Sequence, residues 1–157
     1  MNRTLTLVSI LFVSLSTWGS NSQKEANELL DYFFAAARTN NTEVLSTFAE
    51  AGFPVDASNQ KGYTALMVAT YNGQRNAFDY LLKIGANPCL QDNKGNTALM
   101  AAIFRGELSM TYRLMQEGCD TAQTNKAGND AKAFAEVFGR NQILQKLKAD
   151  KAQKFSK

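Results

Sequence analysis

The chain contains no histidine, so the commonest general base and the commonest metal ligand are both absent. Two cysteines and two prolines stand among 157 residues, and the cysteines, Cys89 and Cys119, form no Cys-x-x-Cys pair. That composition argues against a zinc module, a thioredoxin-like redox motif and a disulfide-dense miniature scaffold. Charge of one sign is also in short supply. From Gln23 to Gly139 ten Lys/Arg face thirteen Asp/Glu, and the basic excess is confined to the end of the chain, where six Lys/Arg face Asp150 alone. A basic tail on a slightly acidic body lacks the basic folded face that nucleic-acid binding requires, so no nucleic-acid partner is expected. We find no nucleophile–base pair, no phosphate-binding glycine loop and no metal-ligand spacing, and the chain reads as a non-enzyme with no cofactor.

What is present begins with an apolar run. After the positive "MNR", the segment "LTLVSILFVSLS" (Leu5–Ser16) is followed by small residues in "TWGSNS". This is the grammar of a cleaved export signal, read here as residues 1–22, with the mature domain at 23–157. The run is short of the roughly 20 residues that span a bilayer. The expected location is therefore the periplasm of a bacterium; secretion, or retention at the membrane by an uncleaved N-terminus, is the alternative. No lasting membrane contact is expected after cleavage.

The rest of the chain repeats itself. "KGYTALMVATYNGQ" (Lys61–Gln74) returns 33 residues later as "KGNTALMAAIFRGE" (Lys94–Glu107), with eight of fourteen positions unchanged. Three glycine series keep the same interval: Gly52, Gly85 and Gly118; Gly62, Gly95 and Gly128; Gly73, Gly106 and Gly139. Ala69, Ala102 and Ala135 follow it, as do Leu81, Leu114 and Leu147. A fixed period of this size marks a stack of identical supersecondary units. Within a unit, a polar turn with glycine precedes a helix capped by Thr64, Thr97 or Asp130. A short small-residue helix follows, a glycine breaks it, and a second helix is apolar at helical spacing, as in Ala77, Phe78, Leu81 and Leu82. The pattern extends backwards: Phe33 aligns with Leu66, Ala36 with Ala69, Leu45 with Phe78 and Phe48 with Leu81, and Asn40 stands in for the helix-break glycine. In the last unit Lys132 replaces the leucine of Leu66 and Leu99, as suits a terminal unit whose outer face meets water.

These residues resemble the ankyrin repeat. The family's Gly-x-Thr-Pro-Leu-His-x-Ala-Ala, helix-break Gly, Leu-Leu and Gly-Ala-Asp read here as "GYTALMVAT…NG…LLKIGAN" and "GNTALMAAI…RG…LMQEGCD". The resemblance implies an all-α repeat solenoid of about four repeats (27–58, 59–91, 92–124 and 125–148) with degenerate terminal caps, short β-hairpin loops and a basic end at 149–157. Ala65 and Ala98 replace the family's proline, and Met67 and Met100 its histidine. With that histidine's hydrogen bond gone, weaker ties between repeats are expected, and the methionines read as adaptable core filler.

The family implies a non-enzymatic scaffold that grips a protein in a concave groove. Carried over by phase, the partner-binding positions are the tip residues Lys61, Tyr63, Lys94, Asn96 and Lys126 and the inner-helix ends Tyr71, Phe104 and Arg105. Tyr71, Phe104 and Val137 form one row; Asn72, Arg105 and Phe138 form the next. Either the aromatics make a docking surface for an acidic, partly apolar protein, or they tuck between helices while the lysines only solubilise the tips. Small exported ankyrin proteins imply two roles within this class: immunity-type inhibition of a toxin, and protection of a peroxide-defence enzyme such as catalase. Direct redox action through Cys89, Cys119 and the methionines is a weaker reading. A disulfide is not expected, because Cys119 is in phase with Ala86 and helices of adjacent repeats lie about 8–10 Å apart, beyond the Cα separation of about 7 Å that a bridge tolerates. The chain is expected to be a monomer.

Overall fold

In a computed structural model, residues 24–154 are described, with side chains to residue 149. The predicted export signal, residues 1–22, lies outside the described residues, as does the end of the basic tail. Two compact units are distinguished. In the first, which ends at Tyr32, the described part is helical, with Leu29 and Tyr32 exposed and Lys24 facing Glu28 one turn on. The second, Phe33–Lys157, holds the repeats.

Eight helices carry the described chain: α1 (24–38), α2 (Thr42–Glu50), α3 (Ala65–Tyr71), α4 (Arg75–Lys83), α5 (Ala98–Arg105), α6 (Leu108–Gln116), α7 (Ala131–Val137) and α8 (Asn141–Lys154). The inner helices start where the sequence places their caps. The Thr64 and Thr97 hydroxyls accept from the N–H groups of Met67 and Met100 at 3.3 Å, and the Asp130 carboxylate accepts from that of Ala133 at 2.8 Å. Each cap satisfies one of the amides a helix leaves unpaired at its start. The nine glycines of the three series all have positive φ, and Asn40, the substitute in the first repeat, follows them at φ 62°.

Stacking makes the core. The inner helices pack neighbour on neighbour, α3 on α5 and α5 on α7, while α4, α6 and α8 each back their own inner helix. Small side chains allow this approach: Ala65, Ala69, Ala98, Ala102, Ala131 and Ala135 are all at most 1% exposed. The outer helices then insert Phe78, Leu81, Met110, Leu114 and Ile143, each buried to about the same degree. Burial of one such large side chain stabilises by about 1.5–3 kcal/mol, and no unit could achieve it alone. The first repeat closes the stack with aromatic rings: Phe33 lies 5.0 Å from Phe53 and 5.4 Å from Phe48. At the other end Lys132 is exposed and faces Glu136, consistent with a solvated terminal unit.

The hairpins contract to single antiparallel bridges, Ser58 with Thr64 and Gln91 with Thr97. Their tips are nevertheless joined from repeat to repeat. The N–H of Asn93 donates to the Lys61 carbonyl and that of Lys126 to the Lys94 carbonyl. Asn93 Nδ2 donates to the Gln60 carbonyl, Gln91 Nε2 to the Thr124 carbonyl, and Asn125 Nδ2 to Asn96 Oδ1. Backbone N–H groups and amide side chains thus tie successive repeats together at the tips.

One expectation is overturned. Cys89 and Cys119 form a disulfide, with their Cα atoms 5.3 Å apart. Helix-to-helix spacing does not govern this pair, because both residues lie in the loops that follow α4 and α6. There Asn87 caps the Cys89 N–H in a tight turn that carries the chain onto the next repeat. The same edge is closed one repeat earlier by the Asp56 carboxylate, which accepts from the N–H of Asn87 at 2.9 Å.

Candidate functional site

A groove of about 680 Å³ runs along the inner helices and the hairpin tips. Each inner helix ends with a large side chain directed out of the core, and these meet across repeats. Tyr71, 52% exposed, and Phe104, 38% exposed, lie with parallel rings at a centroid distance of 5.8 Å. The edge of the next ring follows: Phe138 meets Phe104 at 4.9 Å with planes at 88°, and Phe134, one turn earlier on α7, supports Phe138 at 5.9 Å. Parallel and edge-on contacts at these separations are the favoured geometries of aromatic pairs. The Arg105 guanidinium sits 5.9 Å from the centre of the Tyr71 ring, within cation–π range.

The predicted site residues separate into three groups. Tyr63, Tyr71, Lys94, Asn96 and Phe104 line the groove together. Arg105 joins them through the Tyr71 ring. Lys61 and Lys126 are exposed on the tips beside it, without lining it. Asn96 is committed internally: its amide donates to Asp92 Oδ2 at 3.1 Å and its carbonyl accepts from Asn125 at 2.8 Å. It therefore braces the groove wall and has little left to offer a partner.

The fourth-repeat end of the row is displaced by one position. Phe138 meets Phe104, whereas Val137 is 73% exposed. α7 carries Phe134 four residues before Phe138, and that ring draws Phe138 under Phe104. The tuck-between-helices reading of Tyr71 and Phe104 does not describe them, since both keep a third or more of their surface open.

Groove residues absent from the sequence-based partner-binding set and its rows are Arg38, Met67, Val68, Asp92, Thr97, Met100, Ala101 and Phe134. The repeat phase could have found one of them, since Arg38 precedes Tyr71 by 33 residues; Phe134 is in phase with Ala101 and Val68, neither of which was a predicted position. Met67 and Met100 are buried, as core filler should be, yet they also form the groove floor. Among the described residues no group of three His, Cys, Asp or Glu side chains could hold a metal ion, and no helix is long and apolar enough to cross a membrane.

Comparison with known proteins agrees with this architecture. A family model described as three copies of ankyrin repeats matches residues 2–92, and a single ankyrin-repeat model matches residues 94–126. The mitochondrial disaggregase of Homo sapiens is 41% identical over 58 residues, covering 37% of this chain and 8% of the human protein. That of Bos taurus shows the same identity over the same length, covering 9% of the bovine protein. The chain thus aligns with less than a tenth of either relative. Ankyrin repeats in general mediate protein–protein interaction. With nine glycines in phase, three capped inner helices and a matching family model over more than half its length, the chain belongs to the ankyrin-repeat family.

Proposed function

We propose that this chain is a non-enzymatic protein-binding module of the small exported bacterial type, working as a monomer that holds one protein partner against the Tyr71–Phe104–Phe138 row. The carrying observation is the row itself. Three large rings from successive repeats lie in contact and partly open to solvent. Contiguous exposed apolar surface of this kind marks interaction sites, and aromatics with arginine dominate binding hot spots.

A periplasmic location is supported by the N-terminal grammar of "MNR" and the apolar run, and by the Cys89–Cys119 bridge, since disulfides persist in oxidising compartments. With both cysteines joined, direct thiol chemistry has no free thiol to use. This favours the gripping role over thiol chemistry, with a toxin or a peroxide-defence enzyme as the partner classes to be separated.

The test is capture from periplasmic extract by the exported protein, with Tyr71→Ala/Phe104→Ala as the control. One stoichiometric protein bound by the wild type and lost by the double variant is expected. Equal capture by both proteins overturns the groove assignment, and turnover of a small molecule by the purified chain overturns the non-enzymatic one.

A further inference from the structure

Ten Lys/Arg lie between Gln23 and Gly139, against thirteen Asp/Glu, yet the cations are not evenly spread. Half of them, Arg38, Lys61, Lys94, Arg105 and Lys126, border the groove. Three stand on successive hairpin tips at one edge, and Arg38 and Arg105 stand at the last turns of α1 and α5 at the other. Among the described residues none of the five has an ion-pair partner, although Arg75, Arg113 and Lys132, away from the groove, each pair with a glutamate.

The groove lining contains one carboxylate, Asp92. It is 7% exposed, and its oxygens are turned into the tip: Oδ1 accepts from the N–H groups of Lys94 and Asn96 at 2.8 Å, and Oδ2 from the Asn96 amide. It is therefore poorly placed to pair with the bordering cations. A positive charge at a helix end is favourable in itself, which accounts for the helix-end arginines but not for the tip lysines.

Resting on the groove reading above, we infer that the occupant is an acidic segment of a partner protein, laid across the repeats with a large apolar side chain on the Tyr71 and Phe104 rings. Its carboxylates meet the tip lysines on one side and Arg38 and Arg105 on the other. Charge complementarity of this kind sets partner choice and association rate more than raw affinity. A lipid surface fits less well, because the rings face a groove bounded by hairpins rather than a broad flat face.

The experiment is selection of peptides from a displayed random library on the immobilised chain, followed by titration of the selected synthetic peptides. Three proteins are compared: wild type, Arg38→Glu/Lys94→Glu/Arg105→Glu, and Tyr71→Ala/Phe104→Ala. The inference requires peptides rich in Asp and Glu around a Phe, Leu or Trp. Binding should weaken by about tenfold or more in the charge-reversed protein, and also as salt rises. The neutral Arg38→Gln/Lys94→Gln/Arg105→Gln protein should fall between, with thermal midpoints confirming that all variants fold. Neutral or basic peptides that bind the charge-reversed protein undiminished, but not the aromatic double variant, overturn the inference and leave the groove reading standing. No selection, or peptides indifferent to both sets of substitutions, overturns both.

Discussion

The ring planes of Tyr71 and Phe104 differ by 4° across the boundary between two repeats. Their contact contributes on the order of 1 kcal/mol, while each ring keeps more than a third of its surface in water. Tyr71→Ala/Phe104→Ala should therefore lower unfolding free energy by only about 1–2 kcal/mol, as measured by denaturant titration. Loss of partner binding should be complete. A much larger loss of stability would make the pair part of the core and not of the site.

The side-chain carbonyl of Asn40 accepts from the N–H of Ala77 at 2.8 Å, capping from the first repeat a helix whose own N-cap residue, Gln74, supplies no side-chain bond. Asn40 also holds φ 62°. Asn40→Gly keeps the backbone and loses the cap, and should cost about 1 kcal/mol. Asn40→Ala loses both, and should cost about 2–3 kcal/mol. Chemical denaturation should give the order wild type, Asn40→Gly, Asn40→Ala; a glycine variant as stable as wild type would contradict the cap, and an alanine variant as stable as the glycine one would contradict the backbone argument.

Gly95 and Gly118 have nearly the same φ, 79° and 80°, but different surroundings. A Cβ on Gly95 would lie 2.9 Å from Asn125 Cα, whereas one on Gly118 meets nothing within 4 Å. Gly118→Ala should cost about 1–2 kcal/mol from the left-handed backbone alone. Gly95→Ala must also part the two tips that share the Lys94–Lys126 bond, and should cost about 3 kcal/mol or more. Equal thermal shifts for the two variants would count against the close approach of the tips.

The Cys89–Cys119 bridge closes a sequence separation of 30 residues. Chain-entropy reasoning assigns such a loop about 3–4 kcal/mol. Cys89→Ser/Cys119→Ser should lower stability by up to that amount and keep the helical circular dichroism spectrum. Alkylation of the native exported protein should find no free thiol. Two reactive thiols in that protein would contradict the bridge.

The parts of this fold that were legible in the sequence are those set by local chemistry. Thr64, Thr97 and Asp130 are caps because their oxygens reach amides three residues on, a relation that sequence alone contains. The in-phase glycines and the amide at Asn40 are equally local. Relations between repeats were harder. Shifting by one whole period aligned Cys119 with Ala86 and hid its true neighbour, because loops lean forward and contact the next repeat at an offset of 30 or 31 residues, as Cys89–Cys119 and Asp56–Asn87 both do. Strict phase chose Val137 over Phe138 for a different reason: Phe134 packs against Phe138, a contact within the last repeat that has no counterpart at Ala101.

Hydrogen–deuterium exchange of the chain with and without its captured partner shows whether the groove is the face that binds. Exchange should slow at the tips and inner helices, in segments 61–72, 94–106 and 126–138, and stay unchanged in α4 and α6. Protection confined to α4 and α6, or to the loop edge joined by Cys89 and Cys119, would contradict the groove assignment.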